Sequence, residues 1–334
     1  MPELPEVQTT VDGLNAEVRG LKIVGVWTDY KSHFHRGKEN IKNPKYFEIF
    51  KREVVGTTIT GAERQGKNVL IHLSRPVAGK KSASGAKKTI LVHMKMTGHF
   101  LFGEYFFDPK EKTWQPRQEN GPLSDPRNKF VHLVFDLAAK NFAPKNRTSR
   151  KNKNATGRKQ LAFSDMRKFG KIFLFDTENI GTIEDLMRLG PDPLSKECPW
   201  PVFKERLLLR PTGKIKPVLM DQQILSGIGN IYSDEMLWSA GIHPLSIVRA
   251  IPEEKLKKLF EEAKAVLKKG IDFGGDSDSD YRNIHGRPGK FQSKHNAYRR
   301  TGESCPRRDG GTIRRLVIAG RSAHFCDKHQ KIYK

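Results

Sequence analysis

The pattern of apolar residues changes once along this chain, near residue 195, and this change constrains the fold more than any other feature. Before it, short runs of β-type residues are separated by glycines and charged turns. After it, apolar residues recur at the spacing of one helix face. Residues 189–194, with a glycine and two prolines, mark the transition. We therefore predict an α+β multidomain protein whose N-terminal part is a β-sandwich or flattened barrel.

The N-terminal part should begin with a helix that packs on the core of the predicted sandwich. Val7, Val11, Leu14 and Val18 recur at helical spacing, and Gly20 follows the last of them. Such a helix would fix the position of the residues that precede it. The strands that we predict for this part are residues 21–27, 57–63, 68–73, 89–94, 160–163 and 171–175.

Two stretches interrupt the predicted strands and have the composition of inserts. Residues 103–127 are rich in Pro, Asp and Lys. Residues 138–159 contain many cations, no acidic residue and too little apolar surface to bury a core, so we predict a disordered loop. This loop could add non-specific affinity for a polyanion or be a solvated loop without a binding role, and its composition fits both interpretations.

The C-terminal part should be helical and should end in a β-hairpin. The predicted helices are residues 203–209, 218–226, 231–240 and 252–270, and the predicted hairpin strands are residues 314–318 and 322–325. The domain boundaries that we predict are 2–195 for the β part, 196–292 for the helical part and 293–334 for the hairpin.

The charge of the chain indicates a polyanionic partner. The chain has 61 Lys and Arg residues against 37 Asp and Glu residues, a formal net charge of +24, and nucleic acid is the simplest partner for such an excess. A membrane surface is the competing partner, but we find no apolar run long enough to span a bilayer and no secretory signal. Three cysteines are too few for a disulfide framework, so we expect a reducing, cytoplasmic setting. Separately, we expect the protein to be a monomer.

The start of the chain, Met-Pro-Glu-Leu-Pro-Glu, offers a nucleophile. If Met1 is removed, Pro2 carries a secondary α-amine with an ordinary pKa of about 7.7–8, so a useful fraction is unprotonated at neutral pH. When such an amine attacks a sugar carbon it gives an iminium ion, which serves as an electron sink for later eliminations. Glu3 lies beside it as a candidate acid or base. Alone, these residues also fit a start that merely tolerates methionine removal.

A lysine and two loop tips are further candidates. Lys67 precedes a predicted strand and could hold a phosphate or move a proton, although a solvated lysine at a strand end would have the same sequence. Met96 could be an apolar wedge between bases, or a core residue. Arg167 and Phe169 form a second tip that could act in the same way, or a basic loop with one core phenylalanine.

Two glycine-rich stretches could contact a ligand. In the turn Gly-Ile-Gly-Asn at 227–230, the glycines would let backbone N–H groups approach a phosphate at the start of the next helix, and Asn230 could donate to the same phosphate. A turn that serves only packing is the alternative. Residues 274–290 form a polar loop, and loops of this kind are often mobile and can close over a ligand.

The residues around the C-terminal hairpin could hold a metal ion. Cys326 and His329 have the spacing of half a zinc site, and Cys305 precedes the hairpin. An arginine stands where a second cysteine would be expected, and Asp309 could supply an oxygen ligand instead. We predict one structural Zn²⁺ at these four residues, with packing alone as the alternative. Arg321, at the hairpin turn, would face a phosphate.

Three motifs in one order carry a family resemblance. They are the Pro-Glu-Leu-Pro-Glu start, the stretch 221–244 that contains Gly-Ile-Gly-Asn-Ile-Tyr-Ser-Asp-Glu, and Gly-Arg-Ser-Ala-His-Phe-Cys at 320–326. Together they resemble the bacterial formamidopyrimidine-DNA glycosylase and endonuclease VIII family, on its first branch, over nearly the whole chain except the two inserts. The resemblance implies an N-terminal β-sandwich with an N-terminal helix, a helix-two-turn-helix domain and a C-terminal zinc-finger-like β-hairpin, with double-stranded DNA in the cleft between them.

The resemblance also implies roles for individual residues. Pro2 matches the nucleophile and Glu3 its acid/base partner. Lys67 matches a catalytic lysine and Glu6 a supporting acid, while Arg321 matches a phosphate clamp that we include with the catalytic residues. The candidate DNA contacts are Met96, Arg167, Phe169, Lys216, Asn230, Ser277, Tyr281 and Arg282.

The function that the resemblance implies is a bifunctional DNA glycosylase and AP lyase of bacterial base excision repair. It would excise oxidised purines (8-oxoguanine and formamidopyrimidines) through a Schiff base on Pro2, followed by β,δ-elimination. The chain departs from the family at Lys168, where a second arginine is usual, and at Asp309 and His329, which replace two zinc-binding cysteines. A non-catalytic binder of damaged DNA is therefore a second hypothesis. A zinc-ribbon transcription factor is a third, but it leaves the N-terminus unexplained.

Overall fold

The structure, a computed structural model, describes residues 1–75, 87–139, 158–278 and 280–334. Among these residues, no helix is both long and apolar enough to cross a membrane. The helices are α1 (Leu4–Glu17), α2 (Pro44–Val54), α3 (Glu184–Met187), α4 (Trp200–Leu208), α5 (Ile215–Met220), α6 (Asn230–Ala240) and α7 (Glu253–Asp272). The strands are β1 (Lys22–Thr28), β2 (Thr58–Gln65), β3 (Asn68–Ser74), β4 (Lys87–His93), β5 (His99–Gly103), β6 (Tyr105–Asp108), β7 (Thr113–Pro116), β8 (Val131–Ala138), β9 (Lys159–Ser164), β10 (Lys171–Asp176), β11 (Ile313–Ile318) and β12 (Arg321–Cys326).

Eight antiparallel strands of the N-terminal part pair in the order β10-β4-β3-β2-β1-β8-β9-β5. The strands β1 and β2 meet only at Lys22 and Thr58, so the sheet divides there into two layers of four strands. Inward-facing residues of both layers, such as Ile71 and Phe135, belong to one buried cluster. The same cluster contains Val7, Val11 and Leu14 of α1. The predicted β-sandwich with an N-terminal helix is therefore confirmed.

The stretch 103–127 is ordered, which its composition did not predict. It contains the hairpin β6–β7, in which Phe107 and Trp114 make edge contacts with each other and with Trp27 of β1 at ring-centroid distances of 5.7–6.3 Å. These aromatic contacts anchor the hairpin on the outer face of the sandwich. Most of the second predicted insert, residues 140–157, lies outside the described residues.

Helices α4 to α7 surround a second apolar core. The predicted helix 218–226 is wrong in its bounds, because α5 ends at Met220 and a series of turns follows. Asp221 leaves the helical conformation at ψ 112°, and its carbonyl then accepts from the N–H groups of Ile224 and Leu225. Pro217 lies in the first turn of α5, where backbone N–H groups have no hydrogen-bond partner within the helix. A proline there costs no hydrogen bond, so the helix can begin before it.

The C-terminal hairpin β11–β12 is confirmed. The strands are in register from Ile313 opposite Cys326 to Ile318 opposite Arg321. Ala319 and Gly320, both at positive φ, make the two-residue turn, as such hairpins require. Arg321 is thus the first residue of β12 rather than part of the turn itself.

Candidate active site

The N-terminus of the chain lies at the N-terminus of α6. Pro2 and Glu3 are buried. The Glu3 carboxylate accepts hydrogen bonds from the backbone N–H groups of Ile231 at 2.9 Å and Tyr232 at 3.4 Å. The first N–H groups of a helix lack partners within it and carry its positive dipole end. The fold therefore stabilises a negative charge on Glu3, directly beside Pro2.

The glycines of the 227–230 turn make this arrangement sterically feasible. A β-carbon at Gly229 would overlap the Glu3 carboxyl group, and one at Gly227, where φ is +91°, would lie 2.8 Å from the Leu4 side chain. The Leu4 N–H also donates to the Gly227 carbonyl at 2.9 Å. These glycines thus serve the approach of the chain's own N-terminus. Phosphate binding by the same turn stays a prediction.

Glu6 joins three separate parts of the chain. Its carboxylate accepts from the N–H of Glu3 at 2.7 Å, the hydroxyl of Tyr232 at 2.7 Å and the N–H of Asp276 at 2.6 Å. Burial and the nearby Glu3 charge raise the pKa of Glu6 to about 7, although these three donors act in the opposite direction. Glu6 can therefore gain or lose a proton near neutral pH, next to the buried N-terminus.

Lys67 lies in the two-residue turn between β2 and β3 and is 7% exposed. Burial lowers the pKa of its ammonium group and Arg321 lowers it further, while the charges of Glu3 and Glu6 raise it. These interactions place Lys67 within electrostatic reach of both N-terminal carboxylates and of the C-terminal hairpin. The structure thus brings together catalytic candidates from three distant parts of the sequence, namely the N-terminus, the turn at Lys67 and the C-terminal hairpin.

The two predicted loop tips are joined by a buried carboxylate that the sequence did not single out. Asp165 accepts from the hydroxyls of Thr97 at 2.5 Å and Tyr30 at 2.9 Å. Thr97 follows Met96, and its hydroxyl oxygen accepts from the N–H of Arg167 at 3.1 Å. The tip that carries Met96 is therefore held in a fixed relation to the tip that carries Arg167 and Phe169.

The side chains on these tips are accessible. Phe169 is 50% exposed, and the Arg167 guanidinium lies over its ring at 4.5 Å from the centroid. Met96 is half-buried. An exposed aromatic ring in contact with a cation is suited to stacking against bases.

The structure places Lys216 away from the protein surface, contrary to its predicted role as a DNA contact. Its side chain is 1% exposed, and its Nζ lies 2.5 Å from Asp234 Oδ1 and 3.4 Å from the carbonyl of Asn230. The resemblance suggested this role, and no local pattern of the sequence shows that Lys216 is buried. Through these two contacts Lys216 stabilises the first turn of α6. Asn230, the first residue of α6, is half-buried.

In the 274–290 loop, the predicted contacts Tyr281 and Arg282 have buried side chains, 3% and 4% exposed. The Tyr281 hydroxyl donates to the Glu6 carbonyl at 3.0 Å, and the Arg282 Nε donates to Asp125 at 3.0 Å. Ser277 donates to the Tyr281 carbonyl at 2.7 Å. These side chains fasten the loop to its surroundings, which corrects the expectation that Tyr281 and Arg282 point towards a ligand.

Two adjacent acids on α6 were also missed. Asp234 accepts from the backbone N–H of His324 in β12 at 3.0 Å. Glu235 accepts from the backbone N–H groups of residues 296–298 at 2.8–2.9 Å. Both carboxylates are buried. The sequence signal that could have identified them is the occurrence of two adjacent acidic residues within a largely apolar helix, since acidic residues are rarely buried without a partner. They fix the hairpin and the segment before it on the helix that also holds Glu3.

The four metal-ligand candidates lie together. Their ligand atoms are within 4.8 Å of one another, so Cys305, Asp309, Cys326 and His329 could hold a metal ion. His329 Nδ1 lies 2.8 Å from Asp309 Oδ2 and 3.5 Å from Cys305 Sγ. Its Nε2 lies 3.1 Å from the Trp238 carbonyl, which can fix the ring so that Nδ1 faces the cluster.

Comparison with known families matches two parts of the chain. The formamidopyrimidine-DNA glycosylase N-terminal domain matches residues 1–172, and the formamidopyrimidine-DNA glycosylase H2TH domain matches residues 189–281. Proteins named formamidopyrimidine-DNA glycosylase from Herpetosiphon aurantiacus and Bacillus subtilis are 33% and 32% identical to this chain. The alignments cover 98% of both chains for the first and 99% of both for the second.

Solved structures of such a protein have a similar fold. A Lactococcus lactis FPG mutant in complex with a Fapy-dG containing DNA is 30% identical, with a TM-score of 0.74 over 99% of this chain and 100% of that one. The complex of Lactococcus lactis Fpg with an abasic site containing DNA gives 29% identity and a TM-score of 0.73 over 98% and 99%. Since the family models, the relatives and the fold agree over the length of the chain, the protein belongs to the formamidopyrimidine-DNA glycosylase family.

Proposed function

We propose that the protein is a bifunctional DNA glycosylase and AP lyase of base excision repair, which removes oxidised purines from double-stranded DNA. The observation that carries this proposal is the burial of Pro2 and Glu3 against the N-terminus of α6, beside Lys67. The names of the relatives and the DNA in the solved neighbours support formamidopyrimidine lesions as substrates.

Base removal begins with the α-nitrogen of Pro2, once Met1 has been removed. The nitrogen attacks C1′ of the damaged nucleotide, the glycosidic bond breaks, and the base leaves with the bonding electrons and takes up a proton. Glu3 balances the positive charge that develops at nitrogen and C1′ and can accept a proton. Opening of the sugar ring then gives an iminium ion between Pro2 and C1′.

Strand cleavage follows from the same intermediate. Loss of a C2′ proton expels the 3′ phosphate, and a further elimination expels the 5′ phosphate, with the iminium as electron sink. Lys67 and Glu6 are the groups positioned for these proton transfers. The pKa of Glu6 is about 7, so Glu6 can exchange a proton close to neutral pH. Burial lowers the pKa of Lys67 from its ordinary value, which favours release of a proton from its ammonium group.

The remaining residues act on the DNA. A base in a duplex must be extruded before its sugar carbon can be attacked, and this costs a few kcal/mol. Phe169, Arg167 and Met96 are positioned to fill the gap that the extruded nucleotide leaves. Asn230 and Arg321 bind the flanking phosphates. Ser277 and the backbone of the 274–290 loop cover the base.

The donor set of the C-terminal cluster fits Zn²⁺. Two thiols, one imidazole and one carboxylate with closely spaced donor atoms match a four-coordinate structural site. When bound, zinc supplies only a cross-link between the hairpin and the segment that precedes it. We propose that this cross-link keeps Arg321 in place.

Metal content tests this part of the proposal. Native mass spectrometry of the wild type should show one zinc ion per chain, and Cys326→Ser should lose it because one thiolate is gone. Cys198→Ser is the matched control, because Cys198 is buried in the helical core away from the cluster. The Cys326 variant should also bind DNA more weakly. A wild-type chain without metal, and with a melting temperature that a chelator does not change, would show that packing alone holds the hairpin.

Borohydride trapping tests the reaction itself. The protein is mixed with a duplex that contains 8-oxoguanine opposite cytosine, and the mixture is reduced. We expect a covalent adduct that peptide mapping assigns to Pro2, because borohydride reduces the iminium ion to a stable amine. An abasic duplex, in which no base has to leave, should give the same adduct.

Each outcome has a distinct meaning. An adduct with the abasic duplex alone would support the lyase activity and contradict oxidised purines as substrates. Tight binding to both duplexes without any adduct would contradict catalysis and favour the non-catalytic binder of damaged DNA.

A further inference from the structure

The 274–290 loop is held on several sides. Besides the contact of Asp276 with Glu6, the N–H of Phe102 donates to the Ile284 carbonyl at 2.7 Å. Ile284 is 2% exposed and belongs to the sandwich core. The Asp276 Oδ2 lies 2.6 Å from His295 Nε2, with both side chains buried. The described residues of this loop, 274–278 and 280–290, are therefore fixed by contacts, whereas the composition of the loop suggested mobility.

One part of the loop rests on residues 121–128, which we call the supporting segment. This segment consists of two short helical turns, Pro122–Ser124 and Pro126–Asn128, between β7 and β8. The buried Asn128 amide donates to the Pro122 carbonyl at 2.9 Å and to the Gly286 carbonyl at 3.2 Å, while its Oδ1 lies 2.9 Å from His99 Nε2. Asn128 therefore binds the loop and the segment at the same time.

The fit between the two is close. Gly286 has a φ of +78°, and a β-carbon there would lie 2.6 Å from the Pro122 carbonyl oxygen and 2.8 Å from Asn128 Nδ2. Any side chain would push the loop away from the segment. Glycine suits this position for two reasons: it adopts a positive φ without strain, and it has no side chain to clash with the segment.

The contact also includes an ion pair. Arg282 Nε lies 3.0 Å from Asp125 Oδ2, and the side chains are 4% and 24% exposed. The other oxygen of Asp125 accepts from the N–H of Arg127 at 2.8 Å, which orients the carboxylate. A guanidinium group that is almost fully buried is stabilised by a nearby carboxylate. Asp125 of the supporting segment therefore compensates the buried charge of Arg282, which belongs to the loop.

We propose that residues 121–128 are a positioning element for the 274–290 loop in the base-removal step, with Asp125 and Asn128 as positioning residues. The inference rests on the proposed function. A loop fixed before DNA binds does not have to lose conformational freedom when a base enters, so the covered pocket is preorganised. The effect concerns only substrates that still carry a base, because an abasic site offers nothing for the loop to cover.

The test compares two substrates and one variant. Asp125→Asn keeps the shape of the side chain and removes its charge. We expect base release from the 8-oxoguanine duplex to fall about ten- to a hundredfold in kcat/KM, in line with the loss of a charged hydrogen bond. Cleavage of the abasic duplex should stay unchanged. Hydrogen exchange should become faster in residues 280–290 and stay unchanged in β11 and β12.

Two further variants sharpen the test. Asp108→Asn is the matched control, because Asp108 caps the tip of the β6–β7 hairpin through the N–H groups of Lys110 and Glu111, and it should leave exchange in the loop unchanged. Asp125→Glu restores the carboxylate and should recover part of the lost activity. An equal loss on both duplexes, or unchanged exchange in the loop, would overturn the proposal. If the wild type cleaves neither duplex, the proposed function fails, while the exchange of Asp125→Asn still decides whether the segment holds the loop.

Discussion

A chain that carries a permanent N-terminal extension before Pro2 is expected to lose base release and strand cleavage by at least about 10⁴-fold, the order seen when a catalytic nucleophile is removed. The nitrogen of Pro2 is then part of a peptide bond, whose lone pair is delocalised, so it cannot attack C1′. Pro2 is also buried, so a longer chain at this point obstructs the approach of the sugar.

The measurement is single-turnover cleavage of the abasic and 8-oxoguanine duplexes, with borohydride trapping in parallel. A removable version of the extension provides the control, because a protease that leaves Pro2 as the first residue should restore both activities. The same extension at the C-terminus should have no effect. Strand cleavage by the permanently extended chain at the rate of the wild type would exclude the α-amine of Pro2 as the nucleophile.

Replacing Asp234 with asparagine should reduce the free energy of unfolding by about 3–5 kcal/mol, the usual cost of breaking a buried ion pair. The change leaves the Lys216 ammonium group, 1% exposed, without the carboxylate that it contacts directly. It also weakens the hydrogen bond to His324 that holds β12 on α6. Urea unfolding at neutral pH measures the loss.

An exposed pair supplies the comparison for this variant. Glu184→Gln removes one partner of an ion pair with Arg188 in which both side chains are more than half exposed, and it should cost less than about 1 kcal/mol. The double change Lys216→Met with Asp234→Asn should regain much of the lost stability, since no uncompensated charge remains. If the double variant is no more stable than Asp234→Asn alone, the buried charge is not the cause.

A candidate nucleophile at the start of the chain could be proposed from the sequence because its chemistry depends on which atoms are present. A proline that can become the N-terminus has a secondary amine wherever it lies, so Pro2 and Glu3 could be proposed from the sequence. The position of that amine was not predictable. The contacts of Glu3 with Ile231 and of Glu6 with Asp276 join residues more than two hundred positions apart, and only the packing of the domains brings them together.

Periodic features were predicted better than charged ones. The helix α1, the strands around Lys67 and the C-terminal hairpin follow from the spacing of apolar residues, which one element determines by itself. Lys216, Tyr281 and Arg282 were assigned to DNA on the family resemblance, which does not show whether a side chain is buried in this chain. Each has a partner on another element that offsets the cost of burial, and no local pattern reveals such a partner.

The position of Pro2 also sets an order of events during synthesis. The groups that enclose it include the turn at 227–230 and the first residues of α6, which leave the ribosome long after the N-terminus. Until they are made, Met1 and Pro2 have no partner there and remain open to a methionine-removing enzyme. In the finished fold Met1 is half-buried and Pro2 buried, so we expect removal of Met1 to be faster on the nascent chain than on the folded protein.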